Sequence, residues 1–175
     1  RRSLVFGISI SGSKEEVLFL LKEAYSGASD WSLLHDHLLL KNKKMSHLWS
    51  TICRWTEGLL NTTSTTIPIF QSELGYQDYG NETLKQIAVV NVKKSNGKRS
   101  SKMEEINRYA DYDKDELRHE LELCDPTIIV CGYTISSLNI IMQKDIKAVY
   151  NDNWFYWIEL NKHPVLVIDY YHPAN

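Results

Sequence analysis

The sequence predicts an α/β protein: a three-layer α/β/α domain built on a central four-stranded parallel sheet, one domain spanning residues 1–175. Two observations predict it. Four short apolar runs, Leu4–Ile10, Ile87–Val92, Thr127–Cys131 and Val165–Tyr170, have the nearly continuous, β-branched hydrophobicity of strands buried on both faces. Between them, apolar residues recur every three or four positions, the spacing of helices packed on a sheet.

Taken in order, Leu4–Ile10 is the first strand. Ser13 then stands as an N-cap with Glu16 three residues on, and Val17, Leu20, Leu21 and Ala24 form one apolar stripe, so a helix is expected there, ending near Gly27. A second helix is expected at Leu33–Leu40. A third runs from about Ser46 to Leu60, where Leu48, Trp49, Ile52, Trp55 and Leu59 share a face. The Thr-, Ser- and Gly-rich stretch from Asn61 to Asn81 is a connection. After the strand Ile87–Val92, a helical region covers Met103–Leu123 with a break expected near Asp111–Asp113, and Pro126 marks its end. The run Trp154-Phe155-Tyr156-Trp157-Ile158 fits either a short extra strand or a helical turn. The tryptophans Trp49, Trp55, Trp154 and Trp157 are expected in the core.

Composition narrows the function classes. With 43% hydrophobic and 24% charged residues, 8 Gly and 4 Pro, the chain is neither disordered nor collagen-like, and it has no internal repeat. A formal net charge of −2 gives no bulk electrostatic case for nucleic acid, so any such partner must be met by a local patch. No apolar run reaches the ~20 residues of a membrane span. Cys53, Cys124 and Cys131 lack zinc-site or disulfide spacing, which points to a reduced, cytoplasmic protein. The start at Arg1 without an initiator Met implies a trimmed or partial N-terminus.

In open parallel sheets, ligands bind beyond the carboxyl ends of the strands, so the polar residues there are the candidates. The first strand ends in Gly7-Ile8-Ser9, followed by Ser11-Gly12, and serves as a structural turn or an anion loop. No phosphate-loop or GxGxxG spacing is met. Asn91 interrupts an apolar strand, and a buried carboxamide there either braces a loop or offers a donor and acceptor to a ligand. Lys93, Lys94, Lys98, Arg99 and Lys102 follow among Ser and Gly, a basic loop able to clamp phosphates at the same edge. Gly132 ends the third strand and permits close approach of backbone. The last strand leads into Tyr170-Tyr171-His172-Pro173-Ala174, and a His at a strand end can donate a hydrogen bond to charge developing on a leaving group. His35-Asp36-His37 does not make a metal site, because neighbours on a helix point in different directions. The sequons at Asn61 and Asn81 have no support from a secretory signal.

Taken as an ordered set, an apolar strand ending in Asn (AVVNVKK), a helix leading into Pro-x-Ile-Ile-Val-x-Gly (Pro126 to Gly132) and a last strand running into His-Pro-Ala (His172 to Ala174) resemble the uracil-DNA glycosylase superfamily. The likeness lies mainly between Ile87 and Asn175, about half of the chain. The resemblance implies a monofunctional DNA glycosylase that flips a damaged or modified base out of the duplex and hydrolyses its N-glycosidic bond, acting as a monomer on DNA without metal or nucleotide cofactor. It implies that Asn91 recognises the base, that His172 hydrogen-bonds its carbonyl as it departs, that Lys94 matches a basic position of some members, and that Pro173 and Ala174 shape a loop against the DNA backbone. Tyr171 or Trp49 would supply the stacking or wall residue. The four-cysteine cluster of some members is excluded by three cysteines.

One position departs from the family. Its first strand usually ends in Gly, one residue, then a carboxylate or Asn; here Gly7-Ile8-Ser9 offers Ser9, a poor substitute near an oxocarbenium-like sugar. Asp169, Asp111 and Asp113 are replacements by type alone. Uracil, hypoxanthine and bulky modified pyrimidines all stay open as substrates. Two other classes also stay open: a catalytically silent nucleic-acid-binding module on the same sheet, and a small-molecule α/β enzyme using His172.

Overall fold

A computed structural model describes residues 16–24, 46–70, 82–149 except 96, 98 and 99, and 153–174. The expected strand Leu4–Ile10 and helix Leu33–Leu40 lie outside the described residues.

The first described element corrects the sequence reading. Val17–Glu23, expected as a helix, is a strand (β1). All five residues from Val17 to Leu21 are buried, at 0–3% exposure. A surface helix would bury one stripe of such a run, whereas a central strand covered on both faces buries every residue, at about 2 kcal/mol for each large side chain. Periodicity cannot separate a short, wholly apolar helix from such a strand, and the Ser13 to Glu16 capping pattern tipped the sequence reading the wrong way.

The remaining elements follow the sequence closely. Helix α1 (His47–Asn61) buries Trp49, Ile52, Cys53 and Thr56 along one face. Strand β2 (Ile87–Lys93) comes next. The expected break in the following helical region falls at Asp113, between α2 (Met103–Tyr112) and α3 (Lys114–Cys124). Strand β3 (Ile128–Gly132) leads into α4 (Ile135–Met142). The open aromatic stretch is a strand, β4 (Phe155–Leu160), joined to β5 (His163–Tyr170) by the two-residue turn Asn161-Lys162. Both turn residues have positive φ, 47° and 67°, as the tightest right-twisted hairpins require.

The sheet has five strands in the order β2-β1-β3-β5-β4. Three of the expected strands, β2, β3 and β5, run parallel with β1, and β4 adds an antiparallel edge. Alternation along β1 feeds two cores. Val17, Phe19 and Leu21 pack with Trp49, Ile52 and Cys53 of α1. Leu18 and Leu20 pack on the other face with Ile106, Ala110, Leu117, Leu121, Leu138 and Ile141 of α2, α3 and α4. Helices therefore cover both faces. No helix among the described residues is long and apolar enough to cross a membrane.

Edge position also overturns the core assignment of two tryptophans. Along β4 the side chains alternate, with Tyr156, Ile158 and Leu160 buried and Phe155, Trp157 and Glu159 facing out. Trp157 is 53% exposed and Trp154, just before the strand, 37%. On an edge strand the outward-facing side chains are left partly in solvent, though Trp154 still meets the Tyr170 ring.

Candidate functional site

Strand order determines where a site can form. The chain leaves β1 toward β2 on one side, and leaves β3 toward β5 on the other, so the connections diverge between the carboxyl ends of β1 and β3. Such a switch point leaves a crevice at the strand ends. Leu21 and Lys22 of β1, Gly132 at the end of β3 with Tyr133 after it, and His172-Pro173 after β5 meet there.

Gly132 is the contact on which that meeting depends. A Cβ on Gly132 would stand 2.9 Å from Leu21 Cδ2, 3.2 Å from Pro173 Cδ and 3.6 Å from His172 Cδ2. The missing side chain lets the loop after β5 lie close over β3 without displacing Leu21 or Pro173. The next residue, Tyr133, takes a left-handed φ of 62°, and its N–H donates to the carbonyls of Tyr170 (2.8 Å) and Cys131 (2.9 Å). A bulky residue held in that region carries local strain, which the two hydrogen bonds offset. Thr134 completes the turn: buried, it donates its hydroxyl to the Leu20 carbonyl at 2.7 Å and ties the start of α4 to β1.

His172 is half-buried in this crevice. Burial first, and the Lys22 ammonium second, push its pKa down to about 4, so the ring is neutral at physiological pH. The Ala174 N–H points at Nδ1, 3.3 Å away. A neutral imidazole that accepts at Nδ1 carries its proton on Nε2, so Nε2–H is the donor this ring offers. No described residue takes that donor.

Asn91 stands on β2 in register with Leu21, two strands from Gly132. Its carboxamide has no hydrogen-bond partner among the described residues. The two lysines after it are differently placed. Lys93 is buried, its Nζ 2.7 Å from Glu23 Oε2 and 3.1 Å from Glu105 Oε1. Burial works to lower its pKa, but the hydrogen bonds it donates to the two carboxylates outweigh that and raise it. Its charge is thus spent inside the fold. Lys94 pairs with Glu120. The loop after β2 is docked as well: Gly97 N–H donates to the Ala24 carbonyl at 2.8 Å, and Ser101 Oγ donates to Glu23.

Aromatic side chains flank the crevice on the α1 side. Tyr170 meets Trp55 edge-on at 5.2 Å, Trp154 at 5.3 Å and Tyr171 at 5.3 Å between ring centroids. Tyr171 is 57% exposed. Trp49, the other stacking candidate, is buried in the core beneath α1. A mainly apolar cleft of about 290 Å³ lies between α1 and the sheet, lined by Trp55, Gly58, Leu59, Val130, Ile168 and Tyr170.

The other candidates sort as follows. Gly7, Ser9, Lys98 and Arg99 lie outside the described residues. Pro173 is buried against Gly132, and Ala174 is exposed. Asp169 alternates with Val165 and Val167 onto the face of α2–α4, the opposite side from Tyr170, and burial pushes its carboxyl up to about 6 with Oδ1 left without a partner among the described residues. Asp111 and Asp113 lie at the α2–α3 junction, away from any strand end. Burial pushes the Cys53 thiol up to about 12 and Cys124 up to about 11, and raises Cys131 too, so none is a ready nucleophile. Among the described residues, no group of three or more His, Cys, Asp or Glu could hold a metal.

Sequence reasoning missed Lys22, Glu23 and Tyr133. The first two became visible as strand-end residues only once Val17–Glu23 was a strand; the signal available was the unbroken apolar run before them. Glu23 is the carboxylate at the end of the central strand, but it is 4% exposed and engaged by Lys93 and Ser101.

No protein-family model matches the chain, and no curated protein matches it in sequence.

Proposed function

We propose that the protein is a DNA glycosylase of the uracil-DNA glycosylase type, in which β1, β2, β3 and β5 serve as the four parallel strands of that fold and β4 is an added edge. It takes a flipped base at the carboxyl edge of the sheet. The Asn91 carboxamide, with both donor and acceptor unused, reads the base edge. His172 donates Nε2–H to the base carbonyl as the C1′–N bond breaks and the electron pair moves onto the base. Water supplies the oxygen at C1′ and, after addition, the proton that neutralises the base anion. Tyr171 is the exposed aromatic against which a base can stack.

One observation carries this reading: a neutral histidine whose Nδ1 accepts from Ala174 and whose Nε2–H is unclaimed, at the switch point of a parallel sheet. A donor held in place before charge develops needs no reorganisation when it does. The test is incubation with duplex and single-stranded DNAs carrying uracil, hypoxanthine or a modified pyrimidine, followed by assay for alkali-labile sites and free base. His172→Ala and Asn91→Ala should each lower base release by about a hundredfold or more with an unchanged circular dichroism spectrum. Unchanged release in both variants overturns the assignment.

A second reading has its own support. The strand-end carboxylate Glu23 is engaged by the Lys93 ammonium and the Ser101 hydroxyl and is poorly placed to orient water, which favours a catalytically silent nucleic-acid-binding module. That reading predicts salt-sensitive DNA binding and no released base.

A further inference from the structure

We propose that Lys22 is a second catalytic residue of this site, its ammonium contacting the negative charge that develops on the departing base beside His172. The inference rests on the glycosylase reading and adds to it a residue on β1.

The geometry comes from strand order. Asn91 on β2 and Gly132 on β3 flank β1, and neighbouring strands lie about 4.8 Å apart, so β2 and β3 are about 10 Å apart and a base held between the Asn91 side chain and the His172 loop seated on Gly132 lies over the end of β1. Lys22 is the residue immediately after Leu21, the register partner of Asn91. Its Nζ lies 4.8 Å from the centroid of the Tyr133 ring, which fixes the ammonium between β1 and β3. No carboxylate among the described residues forms an ion pair with Lys22, and its neighbour Glu23 is occupied by Lys93 and Ser101.

Lys22 is half-buried at the end of β1. Burial lowers the Lys22 pKa against the opposing pull of the Glu23 carboxylate, and a partly desolvated ammonium acts on a nearby anion more strongly than one in bulk solvent. The same charge helps hold His172 neutral, and the Tyr133 ring beneath it follows Gly132, on which the His172 loop is seated. The strained φ of Tyr133 then has a use: the left-handed turn brings its ring beneath Lys22.

The test compares single-turnover release of uracil and of 5-fluorouracil, a better leaving base, by the wild-type chain, Lys22→Met and Lys22→Arg. Lys22→Met keeps the aliphatic stem and should slow uracil release by about a hundredfold but 5-fluorouracil release by less than about tenfold, because a stabler anion needs less help. Lys22→Arg should restore most of the rate, and the affinity for DNA should change by less than about twofold in either variant. Equal slowing of both bases, no slowing, or weakened DNA binding with a shallower salt dependence overturns the proposal, the last by making Lys22 a phosphate contact. If the wild-type chain releases neither base, the glycosylase reading falls and this inference with it; if it releases both and Lys22→Met matches it, only the inference falls. Should Lys22→Met fail to fold, Lys22→Gln carries the same comparison.

Discussion

Lys93 Nζ lies 2.7 Å from Glu23 Oε2, and both side chains are 4% exposed. This pair joins the ends of β2 and β1, register partners in the sheet, and Glu105 of α2 adds a third charge at 3.1 Å. Its position turns a lysine of the basic stretch into an internal brace. Removing one partner strands the other without water, so Lys93→Met should cost about 3 kcal/mol in urea denaturation. Adding Glu23→Gln should recover part of that loss. A double variant no more stable than Lys93→Met alone would show that the pair does not behave as a coupled unit.

An added side chain at Gly132 is expected to displace its neighbours. Leu21 Cδ2 can swing away from an added Cβ, but the Pro173 ring 3.2 Å off cannot without moving the loop that carries His172. Gly132→Ala should therefore cost about 1 to 2 kcal/mol of stability. It should also shift the His172 ring resonances in NMR spectra. A stable variant with unmoved His172 signals would contradict the packing.

Asp169 gives a pH-dependent prediction. Its folded pKa, about 6, lies above the ordinary carboxylate value of 3.8, because burial disfavours the anion. Ionisation on raising the pH thus costs the folded state more than the unfolded one. The penalty is absent below pH 3.8, grows through the window from 3.8 to about 6 and is constant above it. Asp169→Asn should consequently be more stable than wild type at pH 8 by about 1 kcal/mol, a value discounted for the half-exposed position, and the difference should vanish near pH 3.5. Equal stability at pH 8 would remove the buried-charge account.

The β4–β5 turn offers a stabilising change. Lys162 sits at φ 67°, a conformation in which a Cβ is unfavourable. Lys162→Gly should raise stability by about 0.5 kcal/mol, since the relief of strain exceeds the entropy that glycine gains in the unfolded chain. A lower thermal midpoint in this variant would show that Lys162 makes a contact worth more than the strain.

Most elements were legible because their patterns were unambiguous. The three-and-four spacing of Trp49, Ile52, Trp55 and Leu59 can only be one face of a helix, and the helical break near Asp113 follows from polar residues interrupting two apolar stripes. Asn91, Gly132 and His172 were also legible, as residues out of keeping with the apolar runs they end. Val17–Leu21 was not, because an unbroken apolar run reads the same as a helix buried all round or as a strand buried on both faces. The Trp154–Ile158 stretch stayed open for a related reason: exposure of alternate aromatics becomes a signal only when the strand is known to be an edge.

By itself the sequence determined an α/β protein, the three strands from Ile87 onward, and which polar residues end them, because hydrophobic periodicity and residue type act locally. Only the tertiary structure decided that Val17–Glu23 is the central strand, that Lys93 points its charge inward at Glu23, and that Lys22, Tyr133, Gly132 and His172 meet. Strand order and register set those neighbours, and both arise from contacts between segments far apart in the chain, which no local pattern records.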